Sequence, residues 1–376
     1  MNRRRITIFR SVGLLIGLTI AAVVLAFQQP RQRTMAAPSG PMLSECDGTL
    51  REIVIQYVAG ADAVVPVYRE FLRQLPTDVV VRVMCPDRAA FDEFTSRIEQ
   101  PANRFTPILT GHAMTAWSRD RWIALAPATE SGTTTLIVPH GELGADAWPA
   151  RAGDERLAGD LVAADRDHLR VVRSPLEFDG GDLLADESTV FVTPAVLRRN
   201  LHRVVDSAAD LEESLHRTLG RRVILLDESP EHHAGMFMMA AGAGRMLVGD
   251  PSLGRQCVRS ETLPELPGGP DFSSQTQAKF DAVATQVAAA GYAVIRIPTI
   301  PAADGKSYLT YVNVITDHRD GHDIVYLPKY RGADAMNTAA AQIWRELGYE
   351  VRPVDCTSTY RCFGNLHCLV NVLRRT

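Results

Sequence analysis

The sequence predicts a single closed, pseudo-symmetric α/β domain, and two observations carry that expectation. A unit of apolar hairpin, amphipathic helix and short buried strand recurs along the chain with varying length, which excludes a solenoid of fixed period. The composition, 46% hydrophobic and 22% charged over 376 residues, supplies a large core and excludes wholesale disorder. A formal net charge of −4 gives no sign of nucleic-acid binding.

The chain opens with a targeting segment. Arg3, Arg4, Arg5 and Arg10 precede an apolar run from Val12 to Phe27, roughly 16 residues against the ~20 that a spanning helix needs. Residues 1–27 therefore read as a secretory signal with a cleavage site at Val24-Leu25-Ala26, or as an uncleaved anchor whose arginines stay in the cytoplasm. Residues 28–43, rich in Gln, Pro, Ala and Ser, read as a flexible linker. On either reading the body, 44–376, is exported and is periplasmic, secreted or membrane-anchored.

The units then follow. A partial copy runs through Ile53–Tyr57, a helix over Val65–Leu75 and a strand over Asp78–Met84. The next full copy has a hairpin over Glu177–Pro194 turning at 185–188 and a helix over Asp206–Leu219 with leucines four apart. Its strand is Gly220–Asp227. Another has its hairpin over Met236–Asp250, its helix over Thr276–Ala290 and its strand over Tyr292–Pro298. The last has a hairpin over Tyr311–Pro328 turning at Arg319-Asp-Gly-His322, a helix over Ala335–Leu347 and a strand over Tyr349–Asp355. The Asp and His residues of 317–323 match no metal-ligand spacing and read as hairpin-tip chemistry. Six cysteines are too few for a disulfide scaffold, but export makes Cys356–Cys362 and Cys46–Cys85 plausible bridges, with Cys257 left unpaired.

Four clusters carry chemistry. Gly364-Asn-Leu-His-Cys368 offers a nucleophile, Glu231-His-His-Ala-Gly-Met-Phe237 a histidine at the start of a hairpin, Trp117-Ser-Arg-Asp-Arg-Trp122 a buried-strand approach with an Asp, and Phe178-Asp-Gly-Gly-Asp182 two carboxylates about a glycine turn. Taken singly, each has an ordinary reading: a structural Cys, a surface His, a solvated approach and a plain turn. Each stands at the start of a unit, however, and equivalent positions of a closed repeat fold converge.

Taken in chain order, W-x-R/Q-D, then a Gly-rich acidic turn, then a His entering a hairpin, then a terminal H-C, the clusters resemble the guanidino-group-modifying (pentein) enzymes, which include the peptidylarginine, agmatine and arginine deiminases. The resemblance spans about residues 50–376 and is weak before Ala116. Val312-Asn313-Val314, Leu327-Pro-Lys329, Leu347-Gly348 and Leu366-His-Cys-Leu-Val-Asn-Val372 resemble the catalytic domain of protein-arginine deiminases. Gly364–Cys368 resembles the G-N-I-H-C of agmatine deiminases. The resemblance implies a fivefold α/β propeller with its site on the pseudo-symmetry axis. It implies Cys368 as nucleophile, His233 as the catalytic His (His232 is one register away) and Asp120 as a guanidinium-binding carboxylate. Trp117, Arg119 and Asn313 would line the substrate. One departure matters: where the family reads His-x-Asp, this chain reads His233-Ala234-Gly235. Asp179 or Asp182 is the expected replacement for the missing carboxylate.

These residue types suit the chemistry. Two carboxylates fix a guanidinium through its five N–H donors. A thiolate attacks the central carbon, and a histidine protonates the departing ammonia and later activates water. The expected activity is deimination of arginine in a peptide or protein to citrulline. The alternatives are deimination of agmatine or free arginine, or a binding protein impaired by Gly235. No cofactor is expected, and nothing in the sequence indicates calcium. The expected partner is an arginine-containing peptide or protein, or a small guanidino compound; beyond a tether through residues 12–27, no membrane or nucleic-acid partner is expected.

Overall fold

Apolar runs make the parallel strands, the middle strand of each unit largely buried on both faces and the outer one partly exposed, and helices join them. The computed structural model describes residues 40–127, 129, 132–141, 151–258 and 263–376. The reading of residues 1–27 as signal or anchor, and of the linker up to residue 39, falls outside them.

The plan repeats five times. Leu50–Gln56 (β1) pairs in parallel with Val80–Cys85 (β2) across the helix Val64–Gln74, and Phe105–Leu109 (β3) extends the sheet. Ile123–Leu125 (β4) and Thr134–Val138 (β5) form an antiparallel pair, and β5 lies parallel to Leu169–Arg173 (β6) after the helix Leu157–Ala164. Leu183–Ala185 (β7), Thr189–Val192 (β8) and Arg222–Leu225 (β9) repeat this around Ala208–Leu219. Met238–Ala240 (β10), Arg245–Asp250 (β11) and Ala293–Pro298 (β12) repeat it around Ser274–Ala289. A two-stranded ribbon, Ile300–Pro301 (β13) with Tyr308–Leu309 (β14), precedes the fifth copy. That copy is Ile315–Arg319 (β15), His322–Lys329 (β16) and Tyr349–Asp355 (β17) around Asp334–Glu346. Finally Val370–Arg375 (β18) returns antiparallel to β1, so the partial copy seen in the sequence is completed by the C-terminus.

Local chemistry sets the element ends. In Ala208–Leu219, the Asp210 N–H donates to Ser207 Oγ at 3.1 Å, Leu211, Leu215 and Leu219 make the buried stripe, and Gly220 at φ 63° ends the helix. At the 315–329 hairpin Asp320 and Gly321 both take positive φ, as a two-residue primed turn requires. There His318 Nδ1 pairs with Asp323 at 2.7 Å and Asp317 accepts the Leu50 N–H, so the acidic and histidine residues are spent on the turn and on β1.

Among the described residues no strand pairs from one unit's sheet to the next, so each unit keeps its own sheet. Two expectations change. The unit at 123–173 was not anticipated. Neither expected disulfide forms: Cys356 is sunk in the core while Cys362, six residues on across a short turn, faces solvent, and Cys46 hydrogen-bonds Ser44 rather than bridging to Cys85.

Candidate active site

Five side chains meet at one place, and each lies just before the first strand of a unit: Asp120 before β4, Asp179 before β7, His233 before β10, Asn313 before β15 and Cys368 before β18. Because the units share one plan, equivalent backbone positions deliver these residues from all five.

Cys368 sits in the single helical turn Leu366–Leu369 and is buried. Asn313 organises it. Its Nδ2 lies 3.4 Å from Cys368 Sγ and donates to the Gly235 carbonyl at 2.9 Å, while its Oδ1 accepts the His367 N–H at 2.9 Å. Gly364 leaves room for an aromatic wall, since a β-carbon there would come within 2.5 Å of the Trp117 ring.

His233 leads into the short turn Ala234–Met236. A β-carbon at Gly181 would reach within 2.5 Å of its ring, and one at Gly180 within 2.2 Å of the Arg119 carbonyl. The paired glycines of Phe178-Asp-Gly-Gly-Asp182 therefore serve close packing rather than flexibility. His233 Nδ1 is 3.9 Å from Asp120 Oδ1, and its Nε2 is 3.7 Å from Asp179 Oδ2. Burial disfavours its charge, but hydrogen bonds to Asp179 and Cys368 and the charge of Asp120 outweigh that and hold it well above the usual histidine range. Asp179 falls below the carboxylate range: burial opposes this, and His233, Arg151 and Arg121 overcome it. Asp120 is raised by burial and by Asp179, against the pull of His233 and Arg151. His232 does not compete for the role. Its Nδ1 accepts the His233 N–H at 2.8 Å, its φ is 113°, and burial with the neighbouring His233 charge lowers it to about 3.

Two predicted substrate residues lie one layer back. Asp182 accepts the Asp179 N–H and the Thr193 hydroxyl and pairs with Arg199, so it shapes the turn beneath Asp179. Arg119 donates to Glu45 and to the Leu183 carbonyl. Glu45 in turn accepts from His367 Nε2 at 3.0 Å. Burial opposes its charge, but Arg119 and His367 bring the carboxyl down to about 2. His367 is lowered by burial. Its Nδ1 lies 2.9 Å from where a β-carbon at position 235 would stand. The space in which the family pattern has a carboxylate is thus filled here by an imidazole backed by Glu45.

Sequence reasoning missed Glu45, Arg121 and Arg151. The Arg151 guanidinium bridges the two carboxylates, Nη1 to Asp120 Oδ2 at 2.8 Å and Nη2 to Asp179 Oδ1 at 2.9 Å. Arg121 Nη1 lies 3.6 Å from Asp179. Arg121 stands within the Trp117–Trp122 cluster but was given no role, and Glu45 and Arg151 stand in no recognisable motif. Among the described residues no group of three His, Cys, Asp or Glu side chains is placed to hold a metal.

No protein-family model and no curated protein matches the sequence. The fold does have solved counterparts. The agmatine deiminase of C. jejuni superposes with a TM-score of 0.65 at 13% identity, covering 89% of this chain and 97% of that one. The agmatine deiminase of Enterococcus faecalis gives 0.66 at 14% identity, covering 91% and 98%. At these identities the likeness is one of fold: the chain shares the mixed α/β fold of these two deiminases.

Proposed function

We propose that this chain hydrolyses a terminal guanidinium to a ureido group and ammonia, with the arginine side chain of a peptide as substrate and five units about one pseudo-axis as the frame. The observation that carries the reading is the meeting of Cys368, His233 and the carboxylates of Asp120 and Asp179. The thiol, Asp120 and His367 are almost wholly buried, which suits a planar cation carried in on a slender alkyl chain.

In this reading Asp120 and Asp179 pair with the guanidinium N–H groups and fix the plane of the cation. Asp179 serves as the second carboxylate in place of a side chain at 235. Cys368, its proton given up, attacks the central carbon with the His233 imidazolium as counter-ion. The tetrahedral adduct breaks one C–N bond, and His233 supplies the proton that lets nitrogen leave as ammonia. The remaining S-linked amidinium is attacked by water, whose proton passes to the now neutral His233. The C–S bond then breaks, returning the thiol and releasing the ureido product.

Ammonia release from benzoyl-arginine ethyl ester, free arginine and agmatine tests the proposal. The blocked arginine should turn over fastest, Cys368→Ala should abolish the reaction and Cys257→Ala should retain it. Preference for agmatine would replace the peptide with a small amine as substrate. No release from any of the three by folded protein would overturn the hydrolase and favour a guanidinium-binding protein.

A further inference from the structure

A guanidinium already occupies the carboxylate pair. Arg151 spans Asp120 and Asp179 with one nitrogen on each, the geometry an incoming guanidinium would adopt. Each carboxylate turns its other oxygen toward His233. Arg121 adds a third cation at 3.6 Å from Asp179. Three cations thus face two carboxylates, and a fourth cannot join them in a site this buried without one leaving.

Arg151 is the cation free to leave. Arg121 also donates to the Gly141 carbonyl, and Arg119 to Glu45 and the Leu183 carbonyl. Among the described residues Arg151 spends its hydrogen bonds on Asp120 and Asp179 alone, with no backbone carbonyl to anchor it. The residues that follow it are held in place: Asp154 accepts the Thr115 N–H at 2.8 Å and the Thr115 hydroxyl at 2.7 Å, and a β-carbon at Gly153 would collide with the Ala113 carbonyl. Rotation of the Arg151 side chain is enough to release the pair.

Resting on the hydrolase reading above, we propose that Arg151 sets the site's specificity as a resident guanidinium, so that a cationic substrate binds by displacing it. Weak cations are shut out, and only a ligand that matches both carboxylates as well as Arg151 does gains the site. A neutral ligand does not compete for the pair and is indifferent to Arg151.

The test compares alkylation of Cys368 by 2-chloroacetamidine, a cation, with alkylation by its neutral isostere 2-chloroacetamide, in wild type and in Arg151→Gln. Peptide mass mapping assigns the modified thiol, with the exposed Cys362 as internal reference. The amidine-to-amide rate ratio at Cys368 should rise about tenfold or more in Arg151→Gln, since a charge-assisted pair no longer has to be broken. Arg151→Lys, which keeps the charge but cannot bridge both carboxylates, should give a smaller rise and serves if the Gln variant does not fold. For the guanidino substrate, KM should fall in the same variants. An unchanged or lower ratio in both variants overturns the proposal, because Arg151 is then a fixed part of the site. A raised ratio with no turnover of any guanidino compound would retain Arg151 as gate and remove the hydrolase.

Discussion

At the scale of single residues, the site is decided by what stands at position 235, where the sequence resemblance leads us to expect a carboxylate. Gly235 faces the His367 imidazole, which Glu45 holds from behind. Gly235→Asp would force its β-carbon within 2.9 Å of His367 Nδ1, so the new carboxylate displaces the ring rather than completing a clamp. Activity should fall at least tenfold, roughly the effect of losing one charge-assisted contact. Steady-state rates on the best guanidino substrate check this, and a gain in activity would show that the position is open. The histidines also fix the pH response of stability. His232 and His367 are lowered from about 6.5 by burial. As pH falls below about 6.5 the unfolded chain takes protons that these two refuse, so stability declines on the acid side. His233 is raised, so its contribution is complete below about 6.5 and is lost as pH climbs through its higher folded value. Urea midpoints from pH 5 to 9 should therefore peak near neutrality. His232→Asn should flatten the acid limb and His233→Gln the alkaline limb. A midpoint independent of pH in wild type would refute both assignments.

At the scale of elements, loop-to-loop packing holds the reacting groups, and glycines make the packing possible. A β-carbon at Gly181 overlaps the His233 ring. Gly181→Ala should cost about 1–3 kcal/mol of stability, and kcat should fall far more than in a surface control because His233 is pushed off Asp179 and Cys368. Retained kcat would mean His233 has room to spare. Asn371 on β18 ties the Asp120 loop from the other side, donating to the Ser118 carbonyl at 2.9 Å and the Trp122 carbonyl at 3.1 Å. Asn371→Ala leaves both acceptors buried and unpaired, so it should cost about 2–3 kcal/mol and weaken substrate binding through Asp120. A thermal midpoint equal to wild type would count against this anchor. These elements differ in how far the sequence revealed them. Helices such as Ala208–Leu219 were legible because a capping Ser, a leucine stripe and a C-terminal Gly agree locally. The unit at 123–173 was not, because β4 is only three residues long and helix Leu157–Ala164 carries Ala and Gly where a stripe would show. Cys368, His233 and Asp120 were legible because each sits in a motif. Glu45 was not: its partners Arg119 and His367 lie 74 and 322 positions away, and no local pattern reports a contact of that reach.

At the scale of the whole molecule, the two ends of the body make one unit. β1 has no neighbouring strand of its own to form a hairpin, and the chain supplies one only after every other unit is built. Thr49 and Thr376 exchange backbone hydrogen bonds at 2.7 and 3.0 Å, and the β18 side chains of Asn371 and Leu373 are fully buried. The same strand follows directly from Cys368, and the Cys368 carbonyl accepts the Arg119 N–H at 3.2 Å. The join thus couples the nucleophile to the Asp120 loop as well as closing the body. Removing residues 370–376 should strip β1 of its partner, expose its edge and open the core around Leu373. The deletion protein should lose its single cooperative melting transition and become sensitive to dilute protease, whereas removal of Thr376 alone should shift the midpoint by only a few degrees. A deletion protein that keeps the full-length protein's oligomeric state and melts cooperatively at the wild-type midpoint would show that the units stand without this join, and that the convergence of five loops on Cys368 owes nothing to closing the chain upon itself.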